Sequence, residues 1–471
     1  MSLRQLAASV RDGTYSPREI VEAYLHAIAS NDHLNAYLYV RAQEAMEEAE
    51  SLETARSRGP LWGIPIAIKD IIDVAGTPMT GASKLLESNV STTDAHVVER
   101  LKAAGAIIIG KVNTHEFAYG ATTTSAHFGP AHNPWASNHI CGGSSGGSGS
   151  AVAAGLAPGA LGTDTAGSVR VPAALCGVTG LRPTMGRVSN RGVIPVAWSF
   201  DTVGPIATTA EDCALMMNVI AGHDPQDPST SDVPVPNYFD GISHGLRDLR
   251  IGMVRTLFEE GVDPRVSKAV SSAVSDLKTL GAQVTDVEIP HFESFGVIQQ
   301  SMQFPQATSV HLENLRTRLG DYGADVRARL LVGLFVPSTT YVTGQRARRI
   351  ATTVIERVFQ DVDLLVAPTM PVVAPPIGQE WVELDGKKMP YRLSLIRFNS
   401  CWSLVGLPVV SVPCGQVDNL PVGLALVGRK FDEATVLRAA HAYQMLTNWH
   451  QQTPKDLPRL PSELDVNRGP I

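Results

Sequence analysis

LGTDTAGSVRVPAALCG, residues 161–177, sets Ser168, Asp164, Thr163 and Thr165 among small residues between apolar flanks. No His follows nearby, and the loop ends on Ser168 and then Arg170. Just upstream lies GGSSGGSGSAVAAG, residues 142–155. Its composition suits a flexible linker, but apolar segments flank it on both sides. That context predicts a buried Gly/Ser turn bringing backbone close to another group. Gly142 to Gly146 also matches G-x-S-x-G, the strand-to-helix elbow of many serine hydrolases. The preceding NPWASNHIC makes a poor strand, while downstream His residues are available, so composition alone leaves that reading open.

Farther out, GIPIAIKD (63–70) reads as a short apolar strand that ends on a charge, Lys69. Such a lysine either snorkels to water or is desolvated. Burial disfavours the charged form, so a buried Lys69 would be a base near neutral pH. Gly105-AIII-Gly110-Lys111 approaches a phosphate-binding loop, but Val112 replaces the required Ser or Thr, and the isoleucines suit a strand. The thirteen histidines include no HExxH and no closely spaced ligand cluster, so no metal or other cofactor is expected.

Strand and helix patterns alternate along the chain. Residues 2–56 read as helical, with a capping box at Ser16-Pro17-Arg18-Glu19. Strands are predicted at 63–70, 106–111, 249–254, 282–289, 363–370, 407–415 and 422–428, with helices between. The Pro/Asp/Ser-rich stretch 222–248 reads as a surface connection. This pattern predicts an α/β fold, with a central mixed, mostly parallel β-sheet covered by helices on both faces. Residues 1–471 are expected to form a single large domain. Its parts are N-terminal helices (1–56), a core at 60–215, the connection 222–248 and a C-terminal part at 249–471.

The totals agree with an enzyme of this class. Among 471 residues, 44% are hydrophobic and 18% charged, with 39 Lys+Arg against 46 Asp+Glu. A net charge of −7 provides no basic face for nucleic acid or an anionic membrane, and neither is expected as a partner. Five scattered cysteines without a CxxC fit reduced, buried thiols. With no signal-like N-terminus and no run of about 18 apolar residues, a cytoplasmic location is expected.

Taken together, the two Gly/Ser stretches and GIPIAIKD resemble the amidase signature family. The order of the motifs is the family's. VGPIATT (203–209), LLVAPTMP (364–371) and LVGLPVVSVPCG (404–415) extend the resemblance over nearly the whole chain. The resemblance implies a Ser-Ser-Lys set, with Ser168 as nucleophile, Ser144 as bridge behind a cis Gly143–Ser144 peptide and Lys69 as base. It implies that the backbone N–H groups of Thr165, Ala166, Gly167 and Ser168 form an oxyanion hole, and that Ser145, Asp164 and Arg170 support the loop. Phe117, Ala118, Tyr119 and Gly120 are expected at the substrate pocket, with Phe304, Leu331, Leu334 and Phe335 as a possible channel.

The expected reaction is hydrolysis of a small acyl amide, anilide or carbamate by a monomer or homodimer. The alternative is the glutaminase (A-type) subunit of a tRNA-dependent amidotransferase. DVRARLLVGLF (325–335) resembles that subunit's substrate-binding stretch, so Arg329 could meet a carboxylate. The acidic residue expected to grip an amino group aligns instead with Ile396, within YRLSLIRFNSCW (391–402), which holds no Asp or Glu.

Overall fold

A computed structural model describes residues 1–53, 59–455 and Leu457. Among these described residues, eleven strands form one sheet. In chain order they are β1 (Tyr37–Val40), β2 (Pro65–Lys69), β3 (Ile107–Val112), β4 (Gly159–Asp164), β5 (Thr179–Arg182), β6 (Thr202–Ala207), β7 (Arg250–Val254), β8 (Gln283–Val287), β9 (Leu364–Pro368), β10 (Val409–Val417) and β11 (Leu420–Val427). Their order across the sheet is β1-β3-β2-β4-β6-β5-β10-β11-β9-β7-β8.

The sheet is mixed, as expected, but parallel pairing is confined to two places: β3-β2-β4 and β9-β7-β8. The middle, from β4 through β9, is antiparallel. The expectation of a mostly parallel sheet is corrected here. Helix–strand alternation implies parallel crossovers, but the strands from 409 to 427 form a direct hairpin. Asp418 (φ 54°) and Asn419 (φ 61°) both take the left-handed conformation that a two-residue turn of this kind requires.

The N-terminal stretch forms helices Leu3–Arg11, Pro17–Ser30 and Ala42–Glu53. Residues 54–56 of the expected helical region lie outside the described residues. The capping box forms: Ser16 Oγ accepts from Glu19 N–H, and the Glu19 carboxylate accepts from Ser16 N–H. The apolar stripe Ile20, Val21, Tyr24 and Ile28 is buried, each side chain contributing about 1.5–3 kcal/mol. One interruption went unread: Tyr37–Val40 is a strand, pairing antiparallel with β3 at the sheet edge. Four residues are too short for periodicity to reveal; the neighbouring strand supplies the pairing.

β2 is buried along its whole length, as the middle of a parallel triplet must be. Its C-terminal end therefore delivers Lys69 into the interior rather than to water. β4 runs parallel beside it, with Ala67 opposite Ala160 and Ile68 opposite Leu161. The loop after β4 thus leaves the sheet on the same side as Lys69. The Gly/Ser stretch, read as a turn, runs directly into helix Gly146–Ala153. Stretch 222–248 carries no helix or strand, and Asp224 and Asp227 tie it to Arg191, Ser189 and Asn190.

Candidate active site

Lys69 Nζ lies 2.6 Å from Ser144 Oγ and 2.8 Å from Thr163 Oγ1. Both serine and lysine are fully buried. Burial holds the Lys69 amine well below its ordinary pKa, against the opposing pull of the Asp164 and Asp201 carboxylates. The peptide bond between Gly143 and Ser144 is cis. A side chain at Gly143 would run into the backbone nitrogen of Thr122 at 2.6 Å, which explains why the residue before the serine has none. Ser145 ties this turn to its neighbour: its N–H donates to Ser168 O at 3.2 Å, and its hydroxyl bonds both Thr163 N–H and Thr163 O.

Ser168 sits half-buried in the loop between β4 and helix Arg170–Cys176, at the wall of a small cavity. Among the described residues its hydroxyl makes no hydrogen bond. Asp164 organises the loop from beneath. Its carboxylate accepts from Gly167 N–H (2.8 Å), Val169 N–H (3.2 Å) and Arg170 Nε and Nη2 (2.9 Å each), and Arg182 Nη1 adds another contact at 3.0 Å. Burial alone would raise its pKa, but the Arg170 and Arg182 guanidinium groups and the amides hold it well below the carboxylate range.

The four amides expected to form the oxyanion cradle differ in their engagement. Gly167 N–H is already engaged by Asp164, whereas the amides of Thr165, Ala166 and Ser168 find no acceptor among the described residues. Gly167 instead provides shape: its φ is 127°, a conformation L side chains rarely adopt, while Ala166 stays out of positive φ.

Supports invisible in the motif come from distant segments. Thr165 Oγ1 donates to Asp201 Oδ1 at 2.5 Å, and Gln299 Nε2 donates to Thr165 O at 2.8 Å. Arg170 also donates to Asn399 O and Ser403 Oγ. Thr163 was equally unread as a partner of Lys69. Its one sequence signal is its place in the motif, and only the pairing of β2 with β4 brings it to Nζ.

Of the four residues expected at the pocket, Ala118, Tyr119 and Gly120 line the cavity beside Thr165–Ser168. Phe117 does not. It packs against His311 (ring centroids 4.5 Å apart) and Tyr322 (5.8 Å), a core role. Phe304 lines the cavity, but Leu334 and Phe335 are exposed and Leu331 lies outside the lining. Arg329, Arg392 and Ile396 also line it. No cluster of three or more His, Cys, Asp or Glu among the described residues could hold a metal, and no described helix is long and apolar enough to cross a membrane. All five cysteines are buried and unbridged.

The Amidase family profile matches residues 19–437. The chain belongs to the amidase signature family. It is an amidase-family hydrolase acting on C–N bonds. Among curated relatives, the A-type subunit of glutamyl-tRNA(Gln) amidotransferase from Roseiflexus sp. (strain RS-1) is 40% identical over 97% of this chain and 98% of its own. Among solved structures, a protein from a vestigial complex tied to the origins of an s-triazine catabolic enzyme superposes with TM-score 0.91 at 36% identity, over 94% of this chain and 98% of its own. A bacterial aryl acylamidase gives TM-score 0.89 at 26% identity, over 96% and 97%. The curated relatives of this amidase weigh toward the glutaminase reading, the alternative at the sequence level, and leave its substrate open.

Proposed function

We propose that this amidase cleaves a small amide, anilide or carbamate through an acyl-enzyme on Ser168. The observation that carries this is the buried Lys69 amine 2.6 Å from Ser144, beneath a cavity walled by Ser168. Ser168 Oγ attacks the carbonyl carbon while its proton passes through Ser144 to neutral Lys69 Nζ. The new C–O⁻ is met by the amides of Thr165, Ala166 and Ser168. The C–N bond then breaks as Lys69 returns the proton through Ser144 to the leaving nitrogen. Water hydrolyses the ester by the same relay. Asp164, Arg170 and Ser145 hold the loop in shape without touching substrate.

The experiment is a substrate panel of p-nitroanilides, primary amides, carbamates and glutamine, assayed on the wild type and on Ser168→Ala. Turnover confined to the wild type is expected; a Ser168→Ala protein as active as the parent would remove Ser168 from the mechanism.

The second reading, an ammonia-releasing glutaminase component of a larger assembly, is favoured by the curated relatives at about 40% identity. Against it stands the cavity wall, which presents Ile396 and no carboxylate to pair with an α-ammonium group. Glutamine turnover that rises on adding partner subunits would decide for it.

A further inference from the structure

The cavity wall carries a charge pattern that the proton relay does not use. Among the described residues, two guanidinium groups line it, Arg329 and Arg392, and no Asp, Glu, Lys or His does. The two are not equivalent. Arg329 Nη2 is committed to Asp325 Oδ2 (2.8 Å), His115 Nε2 (3.2 Å) and Tyr119 O. Its buried Nε has no partner among the described residues. The Arg392 side chain makes no hydrogen bond and no close ion pair among the described residues.

Arg392 also stands where a cation is disfavoured. It occupies the first turn of helix Tyr391–Val405, a turn with no acidic residue. The N-terminal end of a helix carries positive partial charge, so a side-chain cation there adds to it rather than cancelling it. Arg329 is a further like charge nearby, and burial together with that neighbour presses the Arg392 pKa down. The one facing carboxylate, Asp325, is already held by His115 and Arg329. Three sources of positive potential therefore converge on a cavity that also holds Ser168, with Phe304, Leu393 and Ile396 as its apolar wall.

We infer that Arg392 binds a carboxylate on the acyl part of the substrate, so that the enzyme takes the monoamide of a short dicarboxylic acid in preference to a neutral amide or an amino-acid amide. The inference rests on the amidohydrolase reading above and narrows its substrate class. The apolar wall accommodates a short methylene spacer. An α-ammonium group would meet Ile396 and two guanidinium groups, with no free acid to receive it.

The test compares kcat/KM for the monoamides of succinic and glutaric acid with that for butanamide, pentanamide and glutamine, on the full chain. A preference of at least about tenfold for the monoamides is expected. Arg392→Leu should lower their kcat/KM at least about tenfold more than that of the neutral amides, mainly through KM, and Arg392→Lys should restore part of it. Equal turnover of charged and neutral amides, a preference that survives Arg392→Leu, or glutamine turned over as well as glutaric monoamide would overturn the inference. Calorimetry of succinate and glutarate on Ser168→Ala reads the same site without chemistry. Saturable binding lost in the Ser168→Ala, Arg392→Leu double variant supports it, and no saturable binding overturns it. Turnover retained by Ser168→Ala would instead bring down the acyl-enzyme reading, leaving the calorimetric outcome to stand separately.

Discussion

Among single residues, Lys69 matters most to the proposed chemistry, because its amine must be kept uncharged. It is buried, and its folded-state pKa lies below the ordinary lysine value. The neutral form is the base, so kcat/KM should fall as pH drops through that depressed pKa. A profile with no such fall over the pH range in which the protein stays folded would remove Lys69 from the relay. Asp164 is the opposite case: against burial, the Arg170 and Arg182 guanidinium groups keep it charged. Its pKa is depressed in the fold, so it contributes stability that is fully present above the unfolded carboxylate value and is lost progressively as pH falls below it. Asp164→Asn leaves the buried guanidinium groups of Arg170 and Arg182 without their counter-charge. Breaking a buried pair from one side costs about 3–5 kcal/mol, so a drop of that size is expected in denaturant unfolding. Activity should fall with it, because an Asn side chain offers one acceptor oxygen in place of two, and the Gly167 and Val169 amides use one each.

Among strands, helices and loops, the loop after β4 is held by shape as much as by charge. Gly167 at φ 127° leaves no room for a side chain; a methyl there would meet Asn399 Cβ at 2.7 Å. Gly167→Ala should cost on the order of 10²-fold in kcat, comparable to losing one oxyanion donor, while the far-ultraviolet circular dichroism stays that of the parent. The neighbouring segment gives the contrasting case. Phe117 packs into the core against His311 and Tyr322 rather than on the cavity. Phe117→Ala should lower unfolding stability by about 3–5 kcal/mol, read in denaturant, and should spare the KM for small amides far more than changes at Tyr119 do. The helix Gly146–Ala153 shows why local propensity misled. It opens on a run of Gly and Ser, poor helix formers, yet a side chain at Gly147 would strike the Asn113 backbone at 2.3 Å. Close packing selected the residues, and packing keeps the helix.

Across the molecule, the candidate site gathers residues that the chain keeps far apart. β2 contributes Lys69, the loop after β4 contributes Ser168, and helices Phe295–Thr317, Ala324–Gly333 and Tyr391–Val405 close the cavity with Phe304, Arg329 and Arg392. The polar segments follow the strand ends on one side of the sheet, the usual place for a ligand in an α/β fold. If the chain is a free-standing hydrolase, the purified protein should turn over amides alone, as a monomer or homodimer by light scattering. Activity that appears only with added partner subunits would favour the glutaminase reading.

The family, the α/β class and the motif residues Lys69, Ser144 and Ser168 were legible in residue order alone. These depend on residue type at fixed local spacing, and small side chains are constrained wherever backbone must approach closely. The absence of an acid at Ile396 was legible too, because that is a statement about one position. Folding in three dimensions was needed to establish that the middle of the sheet is antiparallel, that Gly167 N–H is spent on Asp164, that Phe117 belongs to the core and that Thr163 reaches Lys69. Each of these turns on strand register or on contacts across long stretches of chain, which local patterns do not encode. The unpaired Arg392 belongs to the same group: a guanidinium in a sequence looks like any surface cation until the fold shows what does, and does not, stand beside it.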